Sequence, residues 1–176
     1  MIFQKTSVRD AWVIELDQRE DERGFFARTW CQEELESHGL TSKIVQANCS
    51  LSKFKGTLRG MHYQIHPAGE AKFVRCIRGA IFDVVIDLRP SSPTYKKWVG
   101  VELTTNNRRA VYVPEYCAHG YLTLENDSEA LYFVSAFYSP DHERGIRYDD
   151  PAIGVSWPIG IQVVSEKDRS WLPFSS

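Results

Sequence analysis

The sequence predicts an all-β protein, an antiparallel sandwich or barrel with one or two short helices, folded as one domain over residues 1–176. Three observations carry this expectation. Runs rich in valine, isoleucine and aromatic residues recur through most of the chain, each closed by Gly, Pro, Asn, Asp or a charged residue. No repeat, low-complexity tract or linker divides the chain. A length of 176 residues suffices for one substantial core and is short for two. With 43% hydrophobic and 25% charged residues, neither disorder nor a coiled coil is favoured.

The first clear element is a helix in TWCQEELESHG, where Thr29 and Gln32 have capping-box spacing and Gly39 can supply the left-handed stop. Next, RGMHYQ (Arg59 to Gln64) sets a cation, a glycine and a histidine into a strand-like run. Strand parity puts Arg59 and His62 on opposite faces unless Gly60 permits a bulge, and periodicity leaves both options open.

Strands then follow in KFVRCIRG, AIFDVVIDLRP, WVGVELTTNN, RAVYVPEY, HGYLTLEND and EALYFVSAFYSP. Within DVVID, Phe82, Val84 and Ile86 share one face and Asp83, Val85 and Asp87 the other, so a carboxylate can point inward. Tyr132 and Tyr138 are six residues apart, which puts both rings on one face of an unbroken strand. Near the end, Ser165 and Asp168 have the spacing of a capped helical turn.

A formal net charge of -2 argues against general affinity for nucleic acid or anionic membrane. The start lacks a signal-like apolar stretch, and no run approaches the roughly 20 apolar residues of a membrane span, so a cytoplasmic protein is expected. Cys31, Cys49, Cys76 and Cys117 are widely spaced without a CxxC pair, which predicts reduced thiols, none of them a nucleophile. A metal is not expected either: His62, His66 and His119 form no HxH pair, Pro67 interrupts the strand after His66, and Lys72 would oppose a cation.

Reactive groups concentrate in DERGFF, RGMHYQ, AKFVR, PEYCAHG, LYFVSAFY, HERG and SEKD. Singly, each has an ordinary explanation: a strand histidine is commonly structural, Asp168 can be a cap, and tyrosines belong in strands. In combination and order they resemble the dTDP-4-dehydrorhamnose 3,5-epimerase family of nucleotide-sugar epimerases, over nearly the whole chain. The resemblance implies a cupin-type jelly roll, a homodimer, and inversion at C3, C5 or both of a nucleotide-linked 4-keto-6-deoxyhexose through an enolate, with no cofactor.

By that resemblance His62 is the base, Asp168 its orienting partner, Lys72 the cation beside the C4 oxygen, and Tyr132 the acid on the opposite face. A free imidazole, with a pKa of about 6.5, can accept a proton at physiological pH. Arg59 and His119 are expected to meet the diphosphate and sugar, as is Arg23, which the DERGFF segment, with Arg28 as a further candidate, would bring to the nucleotide bound in the other subunit of the dimer. Gln46, Asn48, Glu143 and Lys167 are expected to contact the nucleotide, and Tyr138 to stack on the base. Asp83 is a candidate support for His119. One departure stands out: RGFFAR puts Arg28 where the family usually has a glutamate, which keeps a CDP-linked sugar as an alternative to a dTDP-linked one. An epimerase acting at a single carbon and a non-catalytic sugar-nucleotide binder are the other readings.

Overall fold

The expected alternation is realised as two sheets packed face to face. The structure, a computed structural model, describes residues 1–174. In chain order its elements are β1 (Ile2–Lys5), β2 (Trp12–Glu15), β3 (Arg19–Asp21), β4 (Gly24–Phe26), α1 (Gln32–Ser37), β5 (Gln46–Ser52), β6 (Thr57–Gln64) and β7 (Lys72–Arg78). There follow β8 (Ala80–Asp87), β9 (Trp98–Thr104), β10 (Ala110–Val113), β11 (Cys117–Thr123), β12 (Ser128–Val134), β13 (Glu143–Gly145), β14 (Val163–Val164) and α2 (Glu166–Arg169).

One sheet has the order β1-β2-β10-β7-β12-β5, and the other β13-β6-β11-β8-β9, with β14 added beside β6. Among the described residues, the strands β3 and β4 pair only with each other. The architecture is a cupin-type jelly roll. Val74, Ile81, Val85, Leu103, Val111 and Val113 meet between the sheets, each fully shielded from water. Burying such a side chain stabilises the fold by roughly 1.5–3 kcal/mol. The outer faces are covered too: Leu35 of α1 and Leu40 pack on Ile14, Phe73 and Tyr112, whereas Ile146 and Ile153 pack on Met61, Val84 and Ile86.

The helix forms where expected but begins later. Its N-cap is Cys31, with no side-chain cap, and the carbonyl of Thr29 instead accepts from Arg75 Nη2 at 3.3 Å. The Thr29 capping box is therefore not made. Its end does follow the sequence, since Gly39 takes φ +72° and the Leu40 and Gly39 amides close on the carbonyls of Leu35 and Glu36. The strand β12 stops at Val134, so Tyr138 lies beyond it and strand parity does not relate the two tyrosines.

The carboxylates of DVVID face inward, and Asp83 and Asp87 are both fully buried. Burial alone would raise the Asp87 carboxyl, but bonds from Arg89, Ser92 and Thr94 outweigh it and hold it at about 2, against 3.8 ordinarily. The folded state thus binds this proton less readily than the unfolded chain. The resulting stabilisation, about 2 kcal/mol, is complete above about pH 4 and is lost as pH falls toward 2. Asp87→Asn should be less stable than the parent at neutral pH, and acid unfolding followed by circular dichroism should show the gap closing across that window.

Candidate active site

A bulge in β6 builds the site. His62 pairs with His119 and Arg59 with Tyr121, so three steps along β6 match two along β11. The extra residue resolves the parity question: Arg59 and His62 both line one cavity. Gly60 makes it possible. Its φ is +123°, and a Cβ there would sit 2.7 Å from Gly120 Cα and 2.8 Å from the His119 carbonyl oxygen.

The bulge also anchors the acid behind His62. Asp168 Oδ1 lies 2.5 Å from His62 Nε2, and its Oδ2 accepts from the Gly60 amide at 3.3 Å. Burial alone would raise the Asp168 carboxyl, yet the His62 contact together with Gly60 and Ser165 brings it below the ordinary carboxylate range. Asp168 is therefore an anion that holds Nε2 and leaves Nδ1 as the free imidazole nitrogen. The capping expectation holds as well, because Ser165 Oγ accepts from the Asp168 amide at 3.1 Å. A second acid–imidazole pair stands beside the first, with His119 Nε2 2.8 Å from Asp83 Oδ2.

The cavity has two lobes. One, of about 420 Å³, is lined by Arg59, His119, Lys167 and Asp168 among others. The other, of about 380 Å³, is lined by Gln46, Asn48, Glu70, Tyr138 and Glu143 among others. His62, Lys72 and Tyr132 line both and so form the junction. His62 comes from β6 in one sheet, and Lys72 and Tyr132 from β7 and β12 in the other, so base-type and acid-type groups project from facing sheets. Burial, with smaller contributions from Tyr121 and Glu70, pushes the Tyr132 phenol up, which keeps it protonated. Cations prevail in the first lobe, which suits an anionic group. In the second, the Glu143 carboxylate is bound by Lys167 Nζ at 2.6 Å and by Tyr138 Oη at 2.7 Å.

Similarity to known proteins agrees with this arrangement. A family profile described as dTDP-4-dehydrorhamnose 3,5-epimerase matches residues 5–176. A curated relative of that name from Sinorhizobium fredii is 43% identical over 171 residues, 97% of this chain and 88% of its own. A dTDP-4-dehydrorhamnose 3-epimerase from Streptomyces niveus is 38% identical, covering 98% of this chain and 83% of its own. A crystal structure of the 3,5-epimerase from Bacillus anthracis with TDP and PPi bound superposes with a TM-score of 0.93 at 37% identity, over 98% of this chain and 99% of that one.

The chain belongs to the dTDP-4-dehydrorhamnose 3,5-epimerase family. It is an isomerase, a carbohydrate epimerase. Of the catalytic and substrate-binding residues expected at the epimerase site, all but Arg23 line one lobe or the other, and the Arg23 side chain is 82% exposed at the β3–β4 turn and pairs with Asp21. Arg28 is also elsewhere, bonded to Glu34 Oε1 at 2.8 Å, and Glu34 in turn holds the Met1 ammonium.

Sequence reasoning missed Glu70, 3.5 Å from Lys72 Nζ in the second lobe, and Tyr121, whose hydroxyl donates to Ser50 Oγ at 3.1 Å. Pairing of Glu70 with Lys72 two residues on is the signal that could have found the first. The cysteines are free. Burial pushes Cys76 up to about 11 and Cys117 up to about 12, so neither is a ready nucleophile. Among the described residues no three His, Cys, Asp or Glu side chains converge as metal ligands, and no helix is long and apolar enough to cross a membrane.

Because Gly60 shapes both the Arg59–His62 pair and the Asp168 anchor, Gly60→Ala should disturb all three. We expect a stability loss of about 1–3 kcal/mol in denaturant melts and a fall in epimerase turnover larger than that loss explains at 25 °C.

Proposed function

We propose that the enzyme inverts C3 and C5 of a dTDP-linked 4-keto-6-deoxyhexose, converting dTDP-4-dehydro-6-deoxy-D-glucose to dTDP-4-dehydro-L-rhamnose, with residues 1–176 acting as one domain. The observation that carries the reading is the junction of the lobes, where His62 faces Lys72 and Tyr132 from the opposite sheet. Inversion needs that opposition. His62 Nδ1 takes the proton from the carbon next to the ketone, and the C–H electrons move toward the C4 oxygen. Lys72 stabilises the resulting enolate, more effectively in a partly dry cavity than in water. Tyr132 then delivers its hydroxyl proton to the other face of the same carbon, after which its phenolate and the imidazolium re-equilibrate with solvent.

The diphosphate belongs in the cationic lobe with Arg59 and His119, and the nucleoside in the lobe of Gln46, Asn48, Tyr138 and Glu143, with Lys167 between them. The TDP and PPi of the Bacillus anthracis enzyme support this ligand class. Inversion at a single carbon is the second reading, favoured by the Streptomyces niveus relative, named for C3 alone. A cytoplasmic location fits the four free thiols.

Turnover in heavy water, followed by NMR with dTDP- and CDP-linked 4-keto-6-deoxyglucose, tests the reading. Deuterium should enter C3 and C5 of the dTDP sugar faster than of the CDP sugar. His62→Asn should abolish exchange and inversion together, Tyr132→Phe should retain some wash-in without inversion, and Lys72→Ala should lower kcat about 10²- to 10³-fold. Inversion without deuterium incorporation would sink the enolate route, whereas label at C3 only would select the single-carbon reading.

A homodimer completes the proposed site. A ribbon of two strands is marginal by itself in water, yet among the described residues β3–β4 pairs with no other strand and leaves Phe25 and Phe26 42% and 73% exposed. A second copy covering the ribbon would bury these rings and carry Arg23 toward the partner's nucleotide. Sedimentation should give about twice the chain mass, and Arg23→Ala should raise KM severalfold with kcat little changed. A monomer with full activity would exclude the arrangement.

A further inference from the structure

We infer that Trp171 is a positioning residue for His62, its indole confining the imidazole to the orientation that meets Asp168. The inference rests on the reading of His62 as the base. Trp171 follows Asp168 by three residues, just past α2, and returns to the same histidine. Its ring stands edge-on to His62, with centroids 6.3 Å apart and planes at 69°.

The space it occupies exists because of a glycine. Gly145 on β13 lies directly across from His62 on β6, and a Cβ at Gly145 would come within 2.2 Å of the indole Cε2. Lys167 Nζ lies 5.9 Å from the centroid of the same ring while holding Glu143. The indole thus fills the gap between β13, α2 and the imidazole.

A single hydrogen bond to Nε2 fixes one atom of the imidazole and leaves the ring free to swing about it. An aromatic edge removes that freedom. A displacement of about 1 Å at a reacting group can lower a rate about 100-fold, so confinement matters more to turnover than to substrate binding. Trp171 Nε1 is buried with no hydrogen-bond partner among the described residues. The indole is therefore seated by its shape and not by a hydrogen bond, so an aromatic ring of similar shape can replace it. The charged and titratable groups around His62 are Asp168 and Lys167 from the α2 side, Glu143 on β13, Arg59 on β6, Lys72 on β7, Tyr132 on β12 and His119 on β11. The indole is neutral, so replacing it leaves all of them in place.

The test compares Trp171→Ala and Trp171→Phe with the parent in steady-state kinetics and deuterium wash-in. We expect Trp171→Ala to lower kcat about 10- to 100-fold with KM within about threefold, wash-in to fall by the same factor, and Trp171→Phe to recover most of the loss. Fluorescence provides a readout that does not depend on turnover, because a protonated imidazole quenches a touching indole. The emission difference between the parent and Trp171→Phe should vary with pH, and the same difference measured in a His62→Asn background should be flat. If Trp171→Ala fails to fold, Gly145→Ala, which forces the ring off its seat, carries the kinetic arm with the same expected loss. Near-parental kcat in a folded Trp171→Ala, or a difference that does not vary with pH in the parent, would overturn the inference. Exchange surviving in His62→Asn would instead overturn the base assignment, leaving the fluorescence to report on the contact itself.

Discussion

The site depends on the close passage of two backbones. Gly60 of β6 and Gly120 of β11 approach so nearly that a Cβ on either would collide with the other strand: at Gly60 it meets Gly120 Cα, and at Gly120 it lies 2.6 Å from the Arg59 carbonyl oxygen. That approach permits the bulge, and the bulge brings Arg59 and His62 into one cavity. The same turn of chain aims the Gly60 amide at Asp168, so the acid that orients the histidine is fixed by the backbone that displaces it. A regular β6 would keep its hydrogen bonds and send one of the two side chains out of the cavity.

Around that bulge, four basic side chains that line the cavity each have an acid partner, while Arg59 donates to Ser52 Oγ and the Leu51 carbonyl. His62 has Asp168, His119 has Asp83, Lys72 has Glu70 and Lys167 has Glu143. Asp83 and Asp168 are almost wholly buried, Asp83 behind a His119 that is buried too and Asp168 behind a His62 that remains partly accessible. Burying such carboxylates is costly unless hydrogen bonds offset it, and at Asp168 they more than do so, as its lowered carboxyl shows. Among the described residues, the pairing leaves Asp168 as the one acid lining the first lobe, where Arg59, Lys72 and Lys167 outnumber it. It also orients the imidazoles before any ligand arrives, which lowers the reorganisation that binding and charge development require.

The strands of the core were legible because hydrophobic burial writes itself as alternation: KFVRC, IFDVVID and EALYFV became β7, β8 and β12. By contrast β5 escaped notice. Its inward residues Gln46, Asn48, Ser50 and Ser52 are polar because they face the cavity or its approaches, and alternation between polar side chains leaves no apolar signal. The helix start was misread for a related reason. Thr29 has the right side chain at the right spacing, but its carbonyl is bound by Arg75 from β7, a tertiary contact that local spacing does not encode. Parity left Arg59 and His62 unresolved, since only the register against β11 reveals the extra residue. Motif order pointed to His62, Lys72, Tyr132 and Asp168, whereas Trp171 emerges only from contacts.

A sandwich suits the proposed reaction for a geometric reason. Packed sheets lie about 10 Å apart, a gap that accepts a flat six-membered ring once inward side chains are short or turned aside. Here the filling of that gap changes along each strand. On β7, Cys76 and Val74 pack in the core and Lys72, two residues further on the same face, opens into the cavity. On β12, Ala130 is core and Tyr132 borders both core and cavity. A ring held where the apolar filling stops has β6 against one face and β7 with β12 against the other. Acid and base on opposite sides of one carbon therefore require no special loop. They follow from placing each on the inward face of a different sheet, with the apolar core fixing the distance between them.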